Sequence, residues 1–229
     1  MVPLDERPKW VERSKWGVLA LAIGFFHHHV PFFEIEGVIS TAAGIILVIL
    51  GRKGFSGRHS SYVWVSIALW ISALIIGIGY SVLAGPNELP TIIAYQKSAI
   101  QNAILAGAGA WILYATANVL LVWRMTKDNF RPLLGISLGA AIAIIIVATF
   151  FTLGFLSSHP ATLDQASYDS FMEETSTLNL VVPLAFSLVF AITYVVVYFK
   201  IEIPKNTQWW PSPAVPYLPP PYPPTYRPP

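Results

Sequence analysis

The sequence predicts an all-α polytopic membrane protein, a bundle of six transmembrane helices followed by a disordered, proline-rich C-terminal tail. Three observations carry that reading. Apolar residues make up 55% of the 229 positions and charged ones only 11%, against roughly 25% charged in soluble domains. The apolar residues fall in long runs, the clearest being 133–156, LLGISLGAAIAIIIVATFFTLGFL, with no charge in 24 positions. At about 1.5 Å per residue, ~20 such residues cross a ~30 Å hydrocarbon core with every backbone polar group paired inside the helix. Finally, the Lys and Arg residues between the runs fall almost wholly on one side.

The first run follows a basic arm, 1–14, as a signal peptide would. No small-residue cleavage pattern follows it, and His27, His28 and His29 arrive instead, so it is read as a retained span. Residues 16–50 are too long for one crossing, and Pro31 discourages a straight continuation. Glu34 and Glu36 mark a wet interface. Two crossings, 15–30 and 34–51, fit a bilayer, with a re-entrant hairpin and four spans as the alternative. The remaining spans are 62–84, 98–123, 133–157 and 178–199, which completes a membrane domain at 15–203. The loop 85–98 reads as a turn with short extended pieces. The loop 157–177 reads as holding a short amphipathic helix with Tyr168, Phe171 and Met172 on one side.

Six spans place thirteen of the 14 Lys and Arg residues on one face and leave only Lys97 on the other, which instead collects Glu34, Glu36, Glu88, Asp164, Asp169, Glu173 and Glu174. Short loops rich in Lys and Arg stay in the cytoplasm, so both termini are expected there. Trp16, Tyr62, Trp64, Trp123 and Tyr198 stand at span ends, where amphipathic rings prefer the headgroup layer.

Spans associate by close packing and hydrogen bonds, because lipid is as apolar as Leu. Gly135, Gly139 and Ala143 form a small-residue ridge at four-residue spacing. Ala103 and Gly107 lie on a second stripe that leads to Trp111. These ridges are expected to pack within the bundle, with self-association as the other use. The fourth span is the most polar, and Trp111, Tyr114 and Asn118 share one of its faces. They are read as interhelical contacts first and as the edge of a solute path second. No span holds a mid-membrane Asp, Glu, Lys or Arg, which argues against a proton pump or voltage sensor.

The His triplet is the feature richest in chemistry. Neutral imidazole binds transition metals and haem iron, and Glu34 and His159 share its expected face. Adjacent residues point about 100° apart on a helix, so His27, His28 and His29 converge on one ion only if the helix unwinds toward Pro31. The leading reading is interfacial. Metal binding is the candidate alternative, and the sequence requires no cofactor.

The tail, 204–229, holds eleven prolines in 26 residues and favours solvated polyproline II or disorder. Pro219, Pro220 and Tyr222, then Pro223, Pro224 and Tyr226, each fit the PPxY pattern, which resembles ligands of WW domains. A peptide-binding partner on the cytoplasmic side is one use, a spacer or tether another.

Several classes drop out. Zero cysteines exclude disulfides, thiolate metal sites and thiol nucleophiles. A net charge of +2 without a basic stripe speaks against nucleic acid. No HExxH arrangement, P-loop or dinucleotide fingerprint is present. The expected protein is therefore not an enzyme. It is a scaffold or accessory subunit whose partners are the lipid bilayer and other membrane subunits or itself. A small-solute or metal-ion transporter with an outer His/Glu entry is the alternative, and a haem- or copper-binding electron-transfer subunit ranks below it.

Overall fold

A computed structural model describes residues 6–27, 34–55, 57–83, 87–89, 92–126 and 128–201. The described chain is helical in the order expected: α1 (Arg7–His27), α2 (Glu34–Gly51), α3 (Gly57–Leu83), α4 (Lys97–Val122), α5 (Arg131–Ser157) and α6 (Gln165–Lys200). Five of these, α2 to α6, are long and apolar enough to cross a membrane. In α1 the charges of Arg7, Lys9, Glu12, Arg13 and Lys15 leave an apolar stretch of only 16–26, about 16 Å of helix. The chain is thus an all-helical membrane protein with five candidate spans, and α1 is a sixth helix with a short apolar stretch.

Helix neighbours run α3, α4, α5, α6, α1, α2 around the bundle. All six helices have one end at a common basic face. There Lys53 lies over the Trp10 ring, Lys15 over Tyr198, Arg124 over Tyr62 and Lys200 over Phe130. Arg13 and Arg52 cover Trp10 and Trp64 in the same way, at 4.4 and 5.3 Å. A cation over a ring face gains about 0.5–1 kcal/mol at exposed sites, and the pairs let long basic stems snorkel beside interfacial aromatics. Residues 7 and 201 therefore lie at the same end of the bundle.

The tightest seam joins α1 to α2 and is made by glycine. A Cβ built on Gly17 would stand 2.8 Å from Gly44 O, and one on Gly44 would stand 2.7 Å from Gly17 O. Gly24 meets the backbone of Thr41 and Gly37, and Gly51 meets that of Trp10 and Ser14. The two helices run antiparallel, and glycine recurs every seven residues on each: 17 and 24 on α1, and 37, 44 and 51 on α2. A seven-residue period keeps one stripe facing its partner. With no side chain on that stripe, the backbones approach until main-chain atoms touch.

The far end differs from expectation. Residues 157–177 contain no separate amphipathic helix. α5 ends at Ser157, a short strand follows, and α6 begins at Gln165 and runs unbroken for 36 residues through Pro183. Asp164 caps it, accepting a hydrogen bond from Ser167 N at 2.9 Å, and the Ser167 hydrogen bonds hold its carboxyl below the ordinary carboxylate range. Phe171 is buried and Tyr168 partly so, while Met172 faces out. The extended pieces pair as a three-stranded antiparallel sheet, β1 (Asn87–Leu89), β2 (Ile92–Gln96) and β3 (Thr162–Asp164), with Tyr95 opposite Leu163. It ties the α3–α4 loop to the α5–α6 loop.

Lys97, the one base the sequence puts at this end, serves the sheet. Its Nζ donates to Ser157 O (2.9 Å) and His159 O (2.7 Å), and its amide donates to Ala161 O. These carbonyls at and just past the end of α5 have no helical donor, and the negative end of the helix favours a cation. Lys97→Met is expected to cost roughly 1 kcal/mol. Amide exchange should speed up at residues 155–164 ahead of the rest of the chain, and uniform exchange across the bundle would refute the local cap.

Candidate functional site

Polar side chains inside the bundle gather at one level, nearer the basic end. Most hydroxyls first satisfy themselves in their own helix. Thr116, Thr149 and Thr152 each bond the carbonyl four residues back, the economical arrangement where water is absent. A few polar groups also reach between helices. Ser66 Oγ on α3 donates to Ala117 O on α4 at 2.5 Å. Ser137 on α5 and Thr193 on α6 share a hydrogen bond of 2.6 Å. Tyr194 OH on α6 reaches Asn118 O and Oδ1, both at 3.0 Å, while Asn118 Nδ2 donates to Tyr114 O at 2.8 Å.

Around this belt stands an aromatic column. Phe25 of α1 stacks on Phe190 of α6 with centroids 5.5 Å apart and tilts against Tyr194 and Tyr114. One turn toward the far end, Trp111 of α4 meets Phe186 of α6 edge-on at 4.9 Å. Rings at these distances attract beyond their buried area by about 0.5–1.5 kcal/mol per pair. The column matters because the α4 and α6 backbones scarcely approach each other, and aromatic side chains span the gap. Asn118 and Tyr194 are buried (1% and 0% exposed), whereas Trp111 is 40% exposed.

The hydrogen bonds of the belt run within and between the helices. Known proteins give no counterpart. The chain matches no protein family, no curated protein and no solved structure. Its chemistry therefore rests on its own residues. Asn118 and Tyr194 add a polar link between two helices otherwise joined by aromatic side chains.

The other residues singled out by the sequence are scattered. His27 closes α1 beside Phe26. His159 sits on the turn after α5, its Nδ1 3.0 Å from Phe155 O and its ring edge against Phe171. His28, His29 and the side chain of Glu34 lie outside the described residues. Among the described residues, no three His, Asp or Glu side chains come together as a metal site would need. The tail with Pro219, Pro220, Tyr222, Pro223, Pro224 and Tyr226 also lies outside them.

The small-residue ridges are placed otherwise than the spacing predicts. A Cβ on Gly135, Gly139 or Gly107 would meet nothing within 4 Å, and Ala143 is exposed. The Gly135–Gly139–Ala143 ridge turns its glycines outward, among Ile136, Ile146 and Phe150. Ala103 is half-buried on α4. The close packing belongs to Gly17, Gly24, Gly44 and Gly51 instead, and their seven-residue recurrence was the signal available in the sequence. Tyr194 and Ser66 were missed for another reason: their partners include main-chain carbonyls, which leave no mark on a sequence.

His59 is the remaining buried polar group of note. It is 0% exposed at the basic end of α3, 4.9 Å from the Phe55 ring, and neither ring nitrogen has a hydrogen-bond partner among the described residues.

Proposed function

We propose that this chain is a non-enzymatic membrane subunit or scaffold, built to hold a helix bundle in place and to contact other proteins at its basic face. One observation supports this most directly. The polar side chains nearer the basic end, Asn118 and Tyr194 with Ser66, Ser137 and Thr193, spend hydrogen bonds on linking helix to helix. A solute site would keep some of those groups unpaired in the empty state.

The basic face is the cytoplasmic one in this reading, by the inside preference of Lys and Arg. Six passes, with α1 and α2 as a tight pair, return the chain to its starting side. A re-entrant α1–α2 hairpin would do the same, so both termini are cytoplasmic on either count. The tail, 204–229, follows α6 in the chain and carries two PPxY segments, suited to a peptide-binding domain.

The test is purification of the full chain from its native membrane in mild detergent, with crosslinking before lysis. A stoichiometric membrane partner, or a second copy, is expected to accompany it. Removing residues 204–229 should reduce recovery of any soluble partner at least tenfold while leaving the membrane-embedded one. A chain recovered alone and monomeric, whose vesicles pass a solute at a rate altered by Asn118→Leu, would replace the scaffold with a transporter.

A further inference from the structure

The basic face carries far more positive charge than its own carboxylates balance. Among the described residues, ten Lys and Arg stand there against three acids, Glu6, Glu12 and Asp128. Of these acids only Asp128 pairs with a base, Arg131, among the described residues. The opposite end is the reverse. Its described base, Lys97, is occupied by two carbonyls, and the carboxylates of Asp164, Asp169, Glu173 and Glu174 are exposed.

Two of these bases meet at one ring. Arg13 follows Trp10 by one turn of α1, and its guanidinium carbon stands 4.4 Å from the ring centroid. Lys53 comes from the single 3-10 turn after α2 (Arg52–Gly54), with its Nζ 5.5 Å from the same centroid. The two charges are therefore about 10 Å apart at most. Both are exposed, and Trp10 between the two chain segments is half-buried. The segments are fixed against each other by Gly54, where a Cβ would stand 2.8 Å from Val11 N and 3.0 Å from Trp10 Cβ. Like charges this close repel, and a shared anion would relieve them.

We infer that Arg13 and Lys53, gathered at Trp10, bind the phosphate of one anionic phospholipid of the adjoining leaflet. Oxygens of a single phosphate accept from two cations at about 2.7–2.9 Å each, a reach that suits bases so close together. Depth selects a lipid over a soluble anion. Trp16 (52% exposed) and Leu50 (46%) each stand three residues from a member of the pair on the apolar side. Three residues of helix rise about 4.5 Å, which puts the two bases at headgroup level, where an indole is also at home. The inference rests on the cytoplasmic reading of this face only for the supply of anionic lipid, which that leaflet holds.

The test titrates the full chain in nonionic detergent with phosphatidylglycerol and follows the melting temperature, which a ligand of the folded state raises. A saturable rise is expected, with half-saturation at least tenfold below that of phosphatidylcholine. The double variant Arg13→Gln/Lys53→Gln should raise the half-saturation concentration at least tenfold. Arg124→Gln/Lys200→Gln removes the same charge from two other rings, Tyr62 and Phe130, and should change it less than threefold. Arg13→Lys/Lys53→Arg keeps both charges and should also stay within threefold. On the unaltered protein in phosphatidylcholine vesicles, spin-labelled phosphatidylglycerol should be restricted at least threefold more than spin-labelled phosphatidylcholine, a readout that needs no variant to fold.

Equal weakening by the two Gln pairs would overturn the inference, because the attraction would then belong to the whole basic face and not to Trp10. So would a rise reproduced by inorganic phosphate at the same concentration, since the site would then take a soluble anion. Equal restriction of the two spin-labelled lipids would refute it as well. Protease access separates the two readings. Termini found outside, with lipid binding lost in Arg13→Gln/Lys53→Gln, would end the cytoplasmic assignment and leave the lipid site standing.

Discussion

Gly44→Leu is expected to be the most damaging single substitution in the chain. The Cβ alone would stand 2.7 Å from Gly17 O and from Leu21 Cγ, and 2.8 Å from Leu21 N. Two of those atoms are backbone, so no rotamer change relieves the clash, and α1 must move away from α2 along its length. Overpacking a well-packed core costs about 1–3 kcal/mol when side chains can yield. With main chain on the other side, the upper end of that range, about 3 kcal/mol, is the expectation. At about 2–4 °C per kcal/mol for a chain of this size, the apparent melting temperature in detergent should fall by roughly 10 °C. Displacing α1 also removes Phe25 from Phe190, Tyr194 and Tyr114, so the aromatic column should loosen and near-ultraviolet dichroism should fall with it. Gly139→Leu is the matched control. Its Cβ points into open space, and its effect should stay within about 0.5 kcal/mol. Equal losses from the two substitutions would mean that glycine contributes by helix propensity alone, and the seam would lose its role.

That contrast shows where the sequence was readable. Both ridges are small residues at regular spacing, and spacing alone does not say which one finds a partner. Four-residue recurrence at Gly135, Gly139 and Ala143 is common in apolar helices and here faces outward. Seven-residue recurrence on two successive helices is rarer, and the antiparallel pairing of Gly17 with Gly44 and of Gly24 with Gly37 follows from it. The helices themselves were legible because apolar length is a strong signal: α2 occupies 34–51 and α4 occupies 97–122, within one residue of the expected spans. α6 begins 13 residues ahead of the expected span 178–199, because Glu173 and Glu174 place 157–177 in a polar loop by composition. In fact the segment before Pro183 has a good cap at Asp164 and no breaker, and a proline within a helix embedded among others is tolerated. Of the sheet, only β1 and β2 were legible, as extended pieces of the 85–98 loop, and β3 lay in a loop read as helical. Pairing β2 with β3 joins loops some seventy positions apart, and neither loop carries a mark of the other.

The Asn118–Tyr194 contact was half legible, and it gives the sharpest test of how the two helices are joined. Tyr194→Phe keeps the ring in the aromatic column and deletes one hydroxyl, which leaves the Asn118 side-chain oxygen without its donor. Buried groups stranded in this way cost about 1–3 kcal/mol in water-soluble proteins. Interhelical hydrogen bonds in membranes average nearer ~0.6 kcal/mol, with a maximum near ~1.7. Complete burial of both partners places Tyr194→Phe toward the upper end of the membrane range, about 1.5 kcal/mol. Asn118→Leu should cost less. Tyr194 OH retains the Asn118 main-chain oxygen at 3.0 Å, and the lost Nδ2 bond goes only to Tyr114 O in the same helix. A double-mutant cycle read by unfolding in detergent should therefore show Asn118→Leu as the milder single change, with the double variant about 0.5–1 kcal/mol better than additive. Strict additivity would mean that the two side chains do not act together. A larger loss from Asn118→Leu than from Tyr194→Phe would mean that the amide has a partner other than Tyr194, and the belt would then have to be redrawn around that partner.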